Sequence, residues 1–103
     1  MKNECFDYAA NVANDLRKLY NGETVDECEN IYDYISDALD VEYTLDSSRR
    51  LIGVNIYFAL GGPTCWIDTR RCCVICHWAS EDGYACVPSE ICEEINMYFE
   101  ELF

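Results

Sequence analysis

Soft and titratable side chains gather in one short stretch of this 103-residue chain, Cys72-Cys73-Val74-Ile75-Cys76-His77, with Cys86 a little further on. Cys73-Val-Ile-Cys76-His77 has the spacing by which two thiols capture haem vinyl groups and a histidine ligates iron. Cys73, Cys76, His77 and Cys86 together make four soft ligands of the kind that tetrahedral zinc accepts. The residues between them argue the other way. Val74 and Ile75 favour an extended strand, which sends Cys73 and Cys76 to opposite faces, and structural zinc sites set their CxxC pairs on turns. A metal-binding or redox-responsive regulatory domain built on Cys73, Cys76, His77 and Cys86 is therefore the alternative reading, and no cofactor is expected. Catalysis has less to stand on. His77 is the only histidine, a Cys76/His77 pair adjacent on a strand points apart, and neither a Gly-x-Ser-x-Gly elbow nor a phosphate-cradling glycine loop is present. The DxDxDG calcium loop is missing as well. No enzyme is expected.

Carboxylates are the other chemistry on offer. Between Gly22 and Ser48 there are nine acids and no base, and from Ala79 to Phe103 seven acids and again no base. In Thr24–Asp40, wound as a helix, Asp26, Glu29, Asp33, Asp37 and Asp40 share an arc of roughly 80°. Cys28, Ile31, Ile35, Ala38 and Leu39 take the opposite side. The five acids would span about 21 Å, one charge per roughly 5 Å, against 3.4 Å per phosphate along a DNA strand. Glu93, Glu94, Glu100 and Glu101 form a second patch on a C-terminal helix. Tyr34 lies at the edge of the apolar arc, where aromatics serve as interface anchors.

The elements that position these groups follow from periodicity. Lys2–Asn21 reads as a helix with Cys5, Ala9, Val12, Leu16 and Leu19 inward and Gly22 closing it. Thr24 and Glu27 make a capping box for the second helix, Thr24–Asp40. The period then falls to two: strands at Val41–Asp46, Leu51–Leu60, Thr64–Asp68 and Cys72–Trp78, joined by tight turns, make an antiparallel meander. Ser80-Glu81-Asp82-Gly83 reads as a loop. Pro88 and Ser89 open a last helix with Ile91, Ile95, Tyr98 and Leu102 inward. The expected fold is α+β in one domain, 1–103: two N-terminal helices, a four-stranded antiparallel sheet and a C-terminal helix.

A net charge of −13, from 20 acids against 7 bases, excludes direct binding to nucleic acid or an anionic membrane, because phosphate contacts need clustered Lys and Arg. The complementary partner is a basic protein surface. No segment has the apolar length of a membrane span, and MKNECFDYAANVANDL lacks a signal-type apolar run, so a cytoplasmic, reducing location is expected, with most of the eight cysteines free and buried.

The layout as a whole carries a resemblance: Gly61-Gly62-Pro63 before the aromatic strand Cys65-Trp66-Ile67-Asp68-Thr69, a next strand ending His77-Trp78, and a closing Glu93-to-Glu101 helix. In size, charge and compactness it is similar to the anti-CRISPR proteins of phages and mobile elements, several of which act as DNA mimics. The resemblance implies a cytoplasmic inhibitor, monomeric or homodimeric, that binds the nucleic-acid channel of a Cas effector or another defence protein. Asp26, Glu29, Asp33, Tyr34, Asp37 and Asp40, with Glu93, Glu94, Glu100 and Glu101, are then the expected contacts. An inhibitor that blocks a protein interface without mimicry is a further alternative.

Overall fold

The computed structural model describes residues 4–102. The fold is α+β: α1 (Glu4–Tyr20), α2 (Ile31–Ile35), β1 (Asp40–Leu45), β2 (Leu51–Ala59), β3 (Thr64–Asp68), β4 (Cys73–Trp78), β5 (Glu81–Cys86) and α3 (Ser89–Glu100). The expected helix start at Lys2 and the aromatic at Phe103 lie outside the described residues. The strands form one antiparallel meander in the order β1-β2-β3-β4-β5.

The sheet has five strands where the sequence suggests four, because Glu81, Asp82 and Gly83, expected in a loop, open a fifth strand, Glu81–Cys86, that pairs with β4 along its whole length. Its inward positions are Gly83 and Ala85, opposite Cys76 and Val74. They are small because α1 lies directly on this hairpin. A Cβ at Gly83 would sit 2.2 Å from the Phe6 backbone nitrogen and 2.4 Å from the Cys5 carbonyl carbon.

α1 forms as its pattern demands. Glu4 and Asp7 occupy the first turn and Arg17 and Lys18 the last, matching the helix dipole. Gly22, at φ +89°, ends it: the Glu23 amide reaches back to the Lys18 carbonyl (2.9 Å) and the Gly22 amide to Leu19 (3.1 Å). Its buried row, Cys5, Ala9, Val12, Ala13, Leu16 and Leu19, packs on the same sheet face as α3. That face supplies Val54, Ile56, Ile67 and Val74.

α3 keeps Ile91 and Ile95 inward as expected but is turned about them. Ile91, Cys92, Ile95 and Phe99 are buried, while Tyr98 and Leu102 stay exposed. Phe99 is the larger apolar payload at that end, and Tyr98 finds its own partner in Tyr32, stacked at 4.7 Å.

The largest correction concerns Thr24–Asp40, which is not one helix. Val25 and Cys28 close a tight turn through two backbone hydrogen bonds (3.1 and 2.8 Å), with Asp26 at φ +52°. The capping box at Thr24 and Glu27 does not form. Asn30 caps instead, its side-chain oxygen accepting from the Asp33 amide at 2.9 Å. The helix that follows has five residues. A run of carboxylates without a base disfavours a longer one, and Val25, buried by the turn, offers burial that a continuous helix would give up.

Candidate functional site

Breaking the long helix breaks the regular stripe. Asp26, Glu29, Asp33, Asp37 and Asp40 are all exposed, but they do not follow one helix axis. Asp26, Glu27 and Asp37 instead border an open concavity with Cys28, Tyr34 and Phe58. Burial, and then the carboxylates of Asp37, Asp33, Asp26 and Glu27, hold the Cys28 thiol above its ordinary pKa. Asp33 also closes its own turn, Oδ2 accepting from the Glu29 amide at 3.1 Å. The structure thus gathers four acids about one cysteine, with Glu29 beside them.

Asp40 falls elsewhere, at the start of β1, opposite Tyr57 in the ladder. There it joins Glu42, whose Oε1 accepts from the Tyr57 hydroxyl at 2.5 Å. That hydrogen bond is the main reason the phenol is pushed up to about 12, with desolvation second.

Tyr34 is not a free anchor. It is half-buried, donates to Asp15 Oδ2 at 2.9 Å and packs against Phe58, centroids 5.6 Å apart. Burial above all, then the Asp15 hydrogen bond, raises its pKa well beyond the usual phenol range. Its role is to tie α2 to α1.

Tyr32 makes the matching tie on the other side of α2, donating to Glu94 Oε1 at 3.2 Å. Glu90, Glu93, Glu94 and Glu101 line a concavity with Tyr20, Tyr32, Met97 and Tyr98. Glu93, Glu100 and Glu101 are exposed and Glu94 half-buried. The second expected patch is therefore present as a surface, and α2 borders both patches. Among the described residues the ion pairs are Arg71 with Asp68 at 3.7 Å and His77 with Asp82. Neither involves the candidate carboxylates.

The alternative ligand set is dispersed. Cys76 faces inward and is disulfide-bonded to Cys65, its partner on β3. Cys73 faces the open side opposite Cys86. His77 lies about 13 Å along the strand from Cys73, against Asp82. Cys5, Cys28, Cys72, Cys73, Cys86 and Cys92 are free thiols, so most cysteines are unpaired as expected, but of these only Cys5 and Cys92 are buried. No group of three or more His, Cys, Asp or Glu among the described residues is arranged to hold a metal.

One surface is absent from the sequence reading. On the sheet face away from the helices, Tyr57, Trp66, Ile75 and Tyr84 stand in a single cross-strand row. Tyr57 and Trp66 lie 5.5 Å apart, and Trp66 meets His77 at 5.2 Å. Apolar residues on both sides of Leu51–Leu60 are the signal that both faces of the sheet are used. No helix among the described residues is long and apolar enough to cross a membrane. No protein-family model, curated protein or solved structure matches the chain.

Proposed function

We propose that the chain is a non-enzymatic inhibitor that occupies the basic nucleic-acid channel of a defence effector, in the manner of a DNA-mimicking anti-CRISPR protein. The observation that supports this reading is the convergence of two acid patches on α2: Asp26, Glu27, Asp33 and Asp37 on one side, Glu94 and Glu101 on the other. None is paired with a basic side chain among the described residues. With a net charge of −13, long-range attraction would steer such a surface onto clustered Lys and Arg. The mimicry is one of charge density over a patch, not of phosphate spacing along a rod, because the rod does not exist.

The test is competition with target DNA for a purified Cas ribonucleoprotein, with Asp26, Asp33 and Asp37 changed to Asn together. At about 0.5 kcal/mol per lost ion pair, the triple variant should inhibit about tenfold less well and show a shallower salt dependence. An unchanged inhibition constant and salt slope would remove these acids from the interface. Inhibition by neither protein would overturn the reading.

A further inference from the structure

Cys73 and Cys86 face each other across the β4–β5 ladder. Which kind of pair they form follows from a neighbouring bond. The Val87 amide donates to the Cys72 carbonyl at 2.8 Å, so positions 72 and 87 are hydrogen-bonded partners. In an antiparallel ladder the two kinds of pair alternate, and positions 73 and 86 are therefore a non-hydrogen-bonded pair. Such pairs set Cα atoms about 4.5 Å apart, inside the range a disulfide spans. Three residues on, the pattern repeats against the other neighbour: Cys76 and Cys65 lie 4.1 Å apart at Cα on the buried face and are bonded. The CxxC motif thus serves two separate cross-strand pairs, one on each face of the sheet.

We infer that Cys73 and Cys86 are a reversible dithiol–disulfide pair on the open sheet face, oxidised by a low-molecular-weight disulfide such as oxidised glutathione. Cys86 is exposed and Cys73 half-buried, which fixes the order of events. The Cys86 thiolate attacks one sulfur of the small disulfide and displaces a glutathione thiolate, leaving a mixed disulfide. Cys73, having lost its proton to water, attacks the Cys86 sulfur, and the second glutathione thiolate leaves. Two protein thiols are oxidised and one glutathione disulfide is reduced to two thiols. Burial and then the Asp68 carboxylate hold the Cys73 thiol above its ordinary pKa, which suits a resolving thiol that reacts only once its partner is fixed beside it. The product staples β5, the strand beneath α1, to β4.

The experiment equilibrates the full chain with mixtures of reduced and oxidised glutathione, quenches with an alkylating agent, cleaves before aspartate and sequences the linked peptides. The expected result is a Cys73–Cys86 link, with mixed disulfide at Cys86 about tenfold scarcer than in Cys73→Ser, because an opposed thiol resolves it at millimolar effective concentration or above. In Cys86→Ser, whose exposed site leaves the fold intact, the link should vanish and Cys73 should react more slowly than the Cys86 of Cys73→Ser. The proposal is overturned by a mixed disulfide at Cys86 as abundant in the wild type as in Cys73→Ser. A link between Cys72 and Cys92 in place of Cys73–Cys86 would overturn it equally.

Discussion

Gly83 gives the sharpest test of how the sheet and α1 meet. Its side-chain position is filled by the helix backbone: a Cβ would lie 2.2, 2.4 and 2.6 Å from the Phe6 nitrogen, Cys5 carbonyl carbon and Phe6 Cα, where ordinary contact begins near 3.4 Å. Gly83→Ala therefore requires the first turn of α1 to retreat by about 1.2 Å, and no flexible side chain can absorb the shift. Retreat opens a gap over Cys5, Cys65 and Cys76, which pack together there. Overpacking against backbone belongs at the upper end of its usual cost, about 3 kcal/mol. For a domain of this size that lowers the melting temperature by about 12 °C or more. Two other glycines calibrate the measurement. At Gly62 nothing lies within 4 Å, and at Gly53 the clash is with the root of the Arg70 side chain, Cγ at 2.2 Å and Cβ at 3.2 Å, rather than with backbone. Ala at Gly62 should change stability by less than about 1 kcal/mol, and Ala at Gly53 should fall between Gly62 and Gly83 because a side chain, not a helix backbone, must move. Denaturant unfolding followed by near-ultraviolet circular dichroism would rank the three. If Gly83→Ala unfolds with Gly62→Ala, α1 does not rest on β5 and the packing argument fails.

Thr69→Val keeps the shape of a side chain that is 3% exposed but removes a hydroxyl that accepts from the Val54 amide at 2.9 Å and donates to Asn96 at 2.6 Å. Leaving that amide without its partner should cost about 2 kcal/mol, read as a shift in the denaturation midpoint at unchanged slope. Tyr57, whose phenol is pushed up to about 12 by Glu42, holds its proton more tightly in the folded chain than in the unfolded one. Its contribution is thus complete below about pH 10 and lost as pH rises from there through about 12. Absorbance titration at alkaline pH should show one phenol that moves down in Glu42→Gln, and an unmoved curve would deny the hydrogen bond.

Where one period dominated, the fold was legible. α1, β2 and β3 came out nearly residue for residue, because Ala9, Val12 and Leu16 report a helix face and Cys65, Trp66 and Ile67 an extended run. β5 escaped because its inward residues had to be Gly and Ala to admit a helix, which erases the alternation that marks a strand. α3 is legible as a helix but not in its facing: the periodicity points Tyr98 at the core, whereas it stacks on Tyr32 outside. The acidic segment misled for a related reason. Its apolar residues recur at helical intervals, yet Val25, Ile31 and Ile35 are buried by a turn followed by a short helix. The acids expected to form the site remain on the surface, but their grouping about Cys28 depends on a turn at Asp26 that no spacing rule encodes.

The five residues of α2 are fewer than a free helix needs to persist in water. The element is held by its neighbours: Ile31 and Ile35 beneath it, and one phenol hydroxyl at each flank. Its opening is governed by those few contacts while the sheet stays closed, so it belongs to the least protected tier of the native state. The acid-bearing surface therefore has a clock of its own. If the proposed partner binds there, this surface is free to reshape without unfolding the domain, and ordering it would draw on part of the binding free energy.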